Sequence, residues 1–205
     1  MMSKSPKIGI MGGTFDPVHY GHLVTAEGAR FEYNLDQVLF LPSGQPPHKT
    51  MKKVSDPEHR YMMTVLATLT NPHFEVSRLD IDREGISYTI DTLRILRRIY
   101  GPETELFFIT GADAIFEITD WKDSDEYLTM AHFIAAARPG FCLEELPQAT
   151  QNWVGEHGDR FHVLRVPAMA ISSTEIRDRV RKGISIRYLV PEQVEHYIKR
   201  HGLYA

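Results

Sequence analysis

Only one cysteine, Cys142, stands in the 205-residue sequence. An internal disulfide is impossible, and so is a zinc site built from several thiolates. That usage fits a reducing compartment, and the cytoplasm is the expected location. Long apolar runs are missing too. None approaches the roughly 18 residues of a membrane span, and "MMSKSPKIGIMGG" offers only a short run before its glycines. Neither export nor membrane association is expected. Positive charge is in deficit, with 23 Lys and Arg against 27 Asp and Glu and a formal net charge of −4. Such a surface argues against nucleic acid as a partner. An anionic ligand must instead be captured by a local group of cations and main-chain N–H groups. Internal repeats and low-complexity tracts are also lacking.

What is present is an alternation. Apolar runs of strand length begin at Lys7, Gln37, Phe74, Glu105, His132 and Phe161: "KIGIM", "QVLFLP", "FEVSRL", "ELFFIT", "HFIAAA" and "FHVLRV". Between most of them lie stretches of helical spacing, such as "YMMTVLATL" from Tyr61 and "YTIDTLRILRRIY" from Tyr88, where Ile90, Leu93, Leu96 and Arg97 share a face. This order predicts an α/β fold in one domain over residues 1–205, with a doubly wound, mostly parallel sheet of about five or six strands. Four prolines and a basic cluster in "PSGQPPHKTMKKVSDPEHR" predict a long loop over residues 42–60. Residues 172–205 read as a C-terminal helical part, in which "VPEQVEHYIKRHG" puts Pro191 at a first helical position and Gly202 just past the end. Ligands of such sheets bind beyond the carboxyl ends of the strands. The 42–60 loop, the "GGTFDP" turn and "TGAD" all emerge there.

The stretch "KIGIMGGTFDPVHYGHL" places two histidines, His19 and His22, after a strand and a glycine turn. Three readings compete: a metal site, a phosphate clamp, or two rings that share a helical face without a role. Gly12 and Gly13 have the composition of a phosphate cradle, although neither G-x-G-x-x-G nor the Walker pattern is matched. Pro17 excludes a helix before it, so a helix is expected to begin near Tyr20 or Gly21. Its free N–H groups and positive dipole end then lie beside the imidazoles. That setting disfavours an added cation, and no third ligand stands at a suitable spacing. Far along the chain, "ISSTEIR" has a capping box, Ser172 with Glu175, followed by Arg177. A cation so early in a helix opposes the dipole unless an anion is held there.

"GGTFDPVHYGHL" resembles the G-x-F-x-P-x-H-x-G-H signature of the nucleotidyltransferase superfamily, and "ISSTEIR" resembles the I-S-S-T-x-I-R element of its adenylyl-transferring branch. The pieces between, "LPSGQPPHK", "SYTIDTL", "FFITGADAIFEITDW" and "ARPG", are similar over nearly the whole chain to one family, the bacterial nicotinate-mononucleotide adenylyltransferases. A phosphopantetheine adenylyltransferase would be shorter and lack "PPHK". A cytidylyltransferase would read closer to R-T-x-G-I-S-T-T in the last motif.

The resemblance implies transfer of the adenylyl group of ATP to nicotinate mononucleotide, giving nicotinate adenine dinucleotide and pyrophosphate. It implies that His19, His22 and Arg177 act on the reacting phosphates, and that Gly12, Gly13, Thr14, Phe15, Ile171, Ser172, Ser173 and Thr174 complete the ATP site, with Arg138 on the same side. For the acceptor it implies Lys49 on the phosphate with His48 beside it, Gly111 and Asp113 near the ribose, and Trp121 against the pyridine ring. Ser87, Tyr88 and Thr89 open a helix whose N–H groups suit a nicotinate carboxylate. No resident metal is implied, and magnesium arrives with the ATP phosphates. A catalytically silent nucleotide-binding module, or transfer to another phosphomonoester such as nicotinamide mononucleotide, are the alternatives. Whether the chain forms a homo-oligomer is left open.

Overall fold

A computed structural model of the chain describes residues 5–46, 54–116, 118, 121–137, 147–167 and 170–205. Six strands form one sheet: β1 (Lys7–Gly13), β2 (Gln37–Pro42), β3 (Phe74–Val76), β4 (Glu105–Gly111), β5 (His132–Ala137) and β6 (Phe161–Arg165). Their order is β3-β2-β1-β4-β5-β6. β1 pairs with β4, β4 with β5 and β5 with β6, all parallel, with Ile8 opposite Leu106, Phe108 opposite Phe133 and Ala135 opposite Val163. This is the expected doubly wound α/β sheet, whose order reverses between β1 and β4. The central apolar runs became strands because a parallel strand is covered on both faces. Leu106, Phe107, Phe108 and Ile109 are accordingly all buried.

Helices fill the connections: α1 (Tyr20–Glu32), α2 (Pro57–Thr68), α3 (Thr89–Tyr100), α4 (Ala112–Ile115), α5 (Ser124–Met130), α6 (Gln148–Glu156), α7 (Ser173–Arg181) and α8 (Glu192–Arg200). On α3 the predicted face is buried through Ile90, Leu93 and Leu96. Arg97 ends that face by donating to the Thr104 carbonyl at 2.5 Å and to the Met130 carbonyl. Two boundaries differ from expectation. The loop expected over 42–60 ends earlier, because the Asp56 carboxylate accepts the Glu58 N–H at 2.8 Å and Pro57 starts α2. Pro191 is the residue before α8 rather than its first residue, with an extended ψ of 147°.

The described chain gathers into two compact units, each made of separated stretches. One comprises Met1–Gly12, Ala26–Val38 and Tyr88–Ala168; the other comprises Gly13–Thr25, Leu39–Ser87 and Met169–Ala205. The second unit takes in both signature motifs. No helix among the described residues is long and apolar enough to cross a membrane.

Candidate active site

In the second unit the chain leaves β1 at Gly13, bends at Phe15 (φ 49°), passes a cis Asp16–Pro17 bond and enters α1 at Tyr20. His19 stands just before the helix and His22 in its first turn. The His22 Nδ1 accepts the His19 main-chain N–H at 3.2 Å. An accepting Nδ1 carries no proton, so the neutral ring holds its proton on Nε2 and is a donor there. The two imidazoles stack at 3.7 Å between centroids, and Phe15 meets His22 edge-on at 5.1 Å. Gly21 makes this possible, since a Cβ there would lie 3.0 Å from the His19 ring. The glycine of H-x-G-H is thus explained by a close approach.

The expectation of free N–H groups at the start of α1 is narrowed. Tyr20 donates to the Leu189 carbonyl at 3.1 Å, and the N–H groups of His22 and Leu23 go to the His19 carbonyl. The imidazoles therefore have to supply more of any phosphate contact than the helix terminus does.

The second motif folds onto the first. Ser172 caps α7 by accepting the Glu175 N–H at 3.1 Å, as its capping box predicts. Ser173 Oγ donates to the Pro17 carbonyl at 2.9 Å, and Arg177 Nη1 donates to the Asp16 carbonyl at 2.6 Å. Arg177 Nη2 donates to Thr174 Oγ1 at 3.2 Å. Among the described residues, the two acceptors shown for Arg177 are neutral groups, an arrangement that suits an anionic ligand. The carbonyl of Ile171 lies 3.9 Å from where a Gly21 Cβ would be.

Ser87, expected beside the acceptor, is buried and accepts the N–H groups of Gly44 and Gln45 at 3.0 and 3.2 Å. Its own N–H donates to the Gln45 carbonyl at 2.8 Å. Gly44 sits where a Cβ would be 2.3 Å from the Asp80 carbonyl oxygen, which no side chain could relieve. Ser87 thus shapes the loop that leads towards His48 and Lys49. Those two residues and Arg138 lie outside the described residues.

In the first unit, α3 begins at Thr89 with Tyr88 before it, and the Tyr88 side chain makes no capping hydrogen bond there. Lys122 reaches the same end, 4.8 Å from the Tyr88 ring centroid and 3.1 Å from Asp91. Trp121 is partly exposed and packs edge-on against Phe108 and Tyr127, at 6.4 and 5.6 Å. Burial pushes the Tyr127 phenol up to about 12, which keeps it a neutral packing partner. Gly111 ends β4, and the backbone of Asp113 lies in α4; its side chain is outside the described set. A Cβ on Gly12 would meet the Phe108 ring at 3.4 Å. Among the described residues no group of three His, Cys, Asp or Glu is placed to hold a metal ion.

Three residues had not been picked out from the sequence: Asp16, Arg60 and Tyr204. Asp16 is buried, and its carboxylate accepts the Tyr204 hydroxyl at 2.7 Å and the Ser55 N–H at 3.2 Å. Arg60 had a legible signal, since it falls on the stripe of α2 shared by Met63, Thr64 and Ala67. Tyr204 had none.

Fold and site together define a nucleotidyltransferase: residues 10–179 match the cytidylyltransferase-like family model, and the chain belongs to that family. It is 58% identical over 204 residues to the probable nicotinate-nucleotide adenylyltransferase of Moorella thermoacetica, covering 100% of this chain and 94% of that one. With the protein of the same name from Thermoanaerobacter sp. (strain X514) it shares 54% over 203 residues, 99% and 96% of the two chains. Within the wider family, the chain is therefore a member of the nicotinate-nucleotide adenylyltransferases. The fold also matches Plasmodium falciparum nicotinic acid mononucleotide adenylyltransferase complexed with NaAD, with a TM-score of 0.77 at 19% identity over 97% of each chain. The structure of that enzyme complexed with APC gives 0.75.

Proposed function

We propose that the chain transfers the adenylyl group of ATP to nicotinate mononucleotide. The observation that carries this reading is the meeting of the two motifs. Arg177 and Ser173 are bonded to the Asp16 and Pro17 carbonyls, beside two stacked imidazoles of which one presents an Nε2 proton. The names of the relatives support the same reaction and the same acceptor.

The acceptor's phosphate is a monoester with a second pKa near 6, so it is already mostly dianionic at neutral pH and needs no general base. One of its oxygens forms a bond to the α-phosphorus of ATP. The bond from that phosphorus to the α,β-bridging oxygen breaks, and pyrophosphate leaves with the electron pair. The protein has to align two polyanions and stabilise the charge that builds on the α-phosphate and the leaving group. His19, His22 and Arg177 take that part, with Ser172, Ser173 and Thr174 at the start of α7 and Gly12 to Phe15 around the phosphates. Because Ser173 Oγ already serves Pro17, its main-chain N–H is the group offered to phosphate. Magnesium enters as part of the ATP substrate and shields the triphosphate. The one carboxylate of the turn fits this, since both Asp16 oxygens already accept protein donors. We assign Arg138 to ATP, and Lys49 with His48 to the acceptor's phosphate. Trp121 lies against the pyridine ring, Gly111 and Asp113 take the ribose, and the N–H groups near Tyr88 and Thr89 take the carboxylate.

Incubation with ATP, magnesium and nicotinate mononucleotide tests the reaction, with release of pyrophosphate as the readout. Nucleotide binding without turnover would replace the reading by that of a binding module. On the same preparation kcat/KM for nicotinate mononucleotide should exceed that for the nicotinamide form by at least about tenfold to a hundredfold. The amide loses a charged hydrogen bond and sets a donor against donors, each effect about 1.5–3 kcal/mol before relaxation. Equal values would dismiss carboxylate recognition.

A further inference from the structure

Arg60 has no place in the chemistry above, yet it is 0% exposed. A guanidinium has five N–H donors and keeps its charge, so burying one is costly unless the donors are met. Here three of them are met by main-chain carbonyls. Nε donates to Ser55 at 2.9 Å, Nη1 to Thr14 at 2.8 Å and Nη2 to Gly44 at 3.1 Å. Burial lowers the Arg60 pKa, while the charges of Asp16 and Asp56 act against that shift.

The three carbonyls belong to two segments with different tasks. Thr14 lies in the turn that leads to His19 and His22. Gly44 and Ser55 flank, in the sequence, the stretch that carries His48 and Lys49. Asp16, two residues beyond Thr14, is secured by Tyr204, by the Ser55 N–H and, through its carbonyl, by Arg177. The planar guanidinium is thus the common link between the ATP turn and both flanks of the acceptor segment.

We propose that Arg60 is a positioning residue for the transfer: by bridging Thr14, Gly44 and Ser55 it fixes the ATP turn relative to the two flanks of the acceptor segment. This rests on the adenylyl-transfer reading. An apolar side chain could fill the same volume, but it would take the Arg60 donors away from three carbonyls and leave the two segments to links such as Ser55 N–H to Asp16 and Ser43 N–H to Gly13. In-line displacement is sensitive to such errors, a misplacement of about 1 Å costing on the order of a hundredfold.

Arg60→Met and Arg60→Lys in the full chain test this, with circular dichroism to establish folding and all rates measured well below each Tm. Arg60→Met should lose about a hundredfold in kcat while KM for ATP and for nicotinate mononucleotide stays within about fivefold, because Arg60 touches neither substrate. Arg60→Lys should recover less than tenfold, since one ammonium cannot face three carbonyls as a planar fork does. Hydrogen exchange at the Ser43 N–H, bonded to Gly13, and at the Ser55 N–H, bonded to Asp16, should quicken at least tenfold in both variants. A folded Arg60→Met with kcat within threefold of the parent would overturn the proposal, as would unchanged exchange or full rescue by lysine. If Arg60→Met does not fold, Arg60→Lys decides by the same two readouts. Failure of the parent to release pyrophosphate would sink the adenylyl-transfer reading, whereas the exchange comparison would still decide whether Arg60 joins the segments.

Discussion

Replacing His22 by alanine removes contributions of three kinds whose sizes can be separated. The Nε2 donor is assigned to the reacting phosphates, where a preorganised contact is worth about 2–4 kcal/mol, or roughly 30-fold to 1,000-fold in rate. The Nδ1 acceptor holds the His19 N–H at 3.2 Å, a contribution of about 1 kcal/mol to stability. Stacking on His19 at 3.7 Å and the edge contact with Phe15 at 5.1 Å add about another 1 kcal/mol. A loss of about 2 kcal/mol in a chain of this length lowers Tm by about 4–8 °C. His22→Ala should therefore remain folded at 25 °C while kcat falls by the full 30-fold to 1,000-fold. His22→Asn sharpens the test. Its Oδ1 can replace Nδ1 as acceptor for the His19 N–H, but nothing replaces Nε2, so stability should mostly return and turnover should not. Initial rates of pyrophosphate release at saturating substrates, with Tm from a thermal melt, measure both. A folded His22→Ala with kcat within threefold of the parent would refute the phosphate role, and restored turnover in His22→Asn would trace the defect to loop geometry instead.

Ser87→Ala leaves the N–H groups of Gly44 and Gln45 without their acceptor, so stability should fall by about 1–3 kcal/mol and KM for the mononucleotide should rise; a parent-like melt and KM would contradict this. Trp121→Ala should raise KM for nicotinate and nicotinamide mononucleotides about equally and leave that for ATP nearly unchanged, which steady-state kinetics with each substrate will decide. The last prediction concerns pH. Burial, together with Arg160 and His162, holds His132 down to about 4. An unfolded histidine takes its proton near pH 6.5, so between about 6.5 and 4 the unfolded chain binds more protons. The contribution of this ring is fully present above about pH 6.5 and is lost as pH falls towards 4. Allowing for its partial exposure, it is worth about 1–2 kcal/mol. Melts from pH 7 to pH 4 should show a fall that His132→Gln flattens, and an identical slope in that variant would count against the assignment.

Much of this protein was legible because the signals were local. Strand-length apolar runs, the Ser172–Glu175 capping box and the α3 stripe of Ile90, Leu93 and Leu96 each arise within a few turns or one strand, where periodicity and capping act. The motif residues could likewise be matched as short strings. What a string cannot carry is which main-chain groups they meet. That Ser173 serves Pro17 and Arg177 serves Asp16, across 156 and 161 positions, depends on the path of the chain. So does the use of Ser87, whose hydroxyl is committed to two loop N–H groups. Gly21 could be read as part of a signature, but its reason, a Cβ-free approach of the His19 ring, is a matter of three dimensions. Arg60 marks the limit most clearly. A charged residue on an apolar stripe is visible in sequence as an anomaly, yet its three acceptors are carbonyls, which every residue possesses and no side-chain pattern reveals. Only the tertiary structure, by bringing Thr14, Gly44 and Ser55 around one buried guanidinium, decided which groups meet that charge.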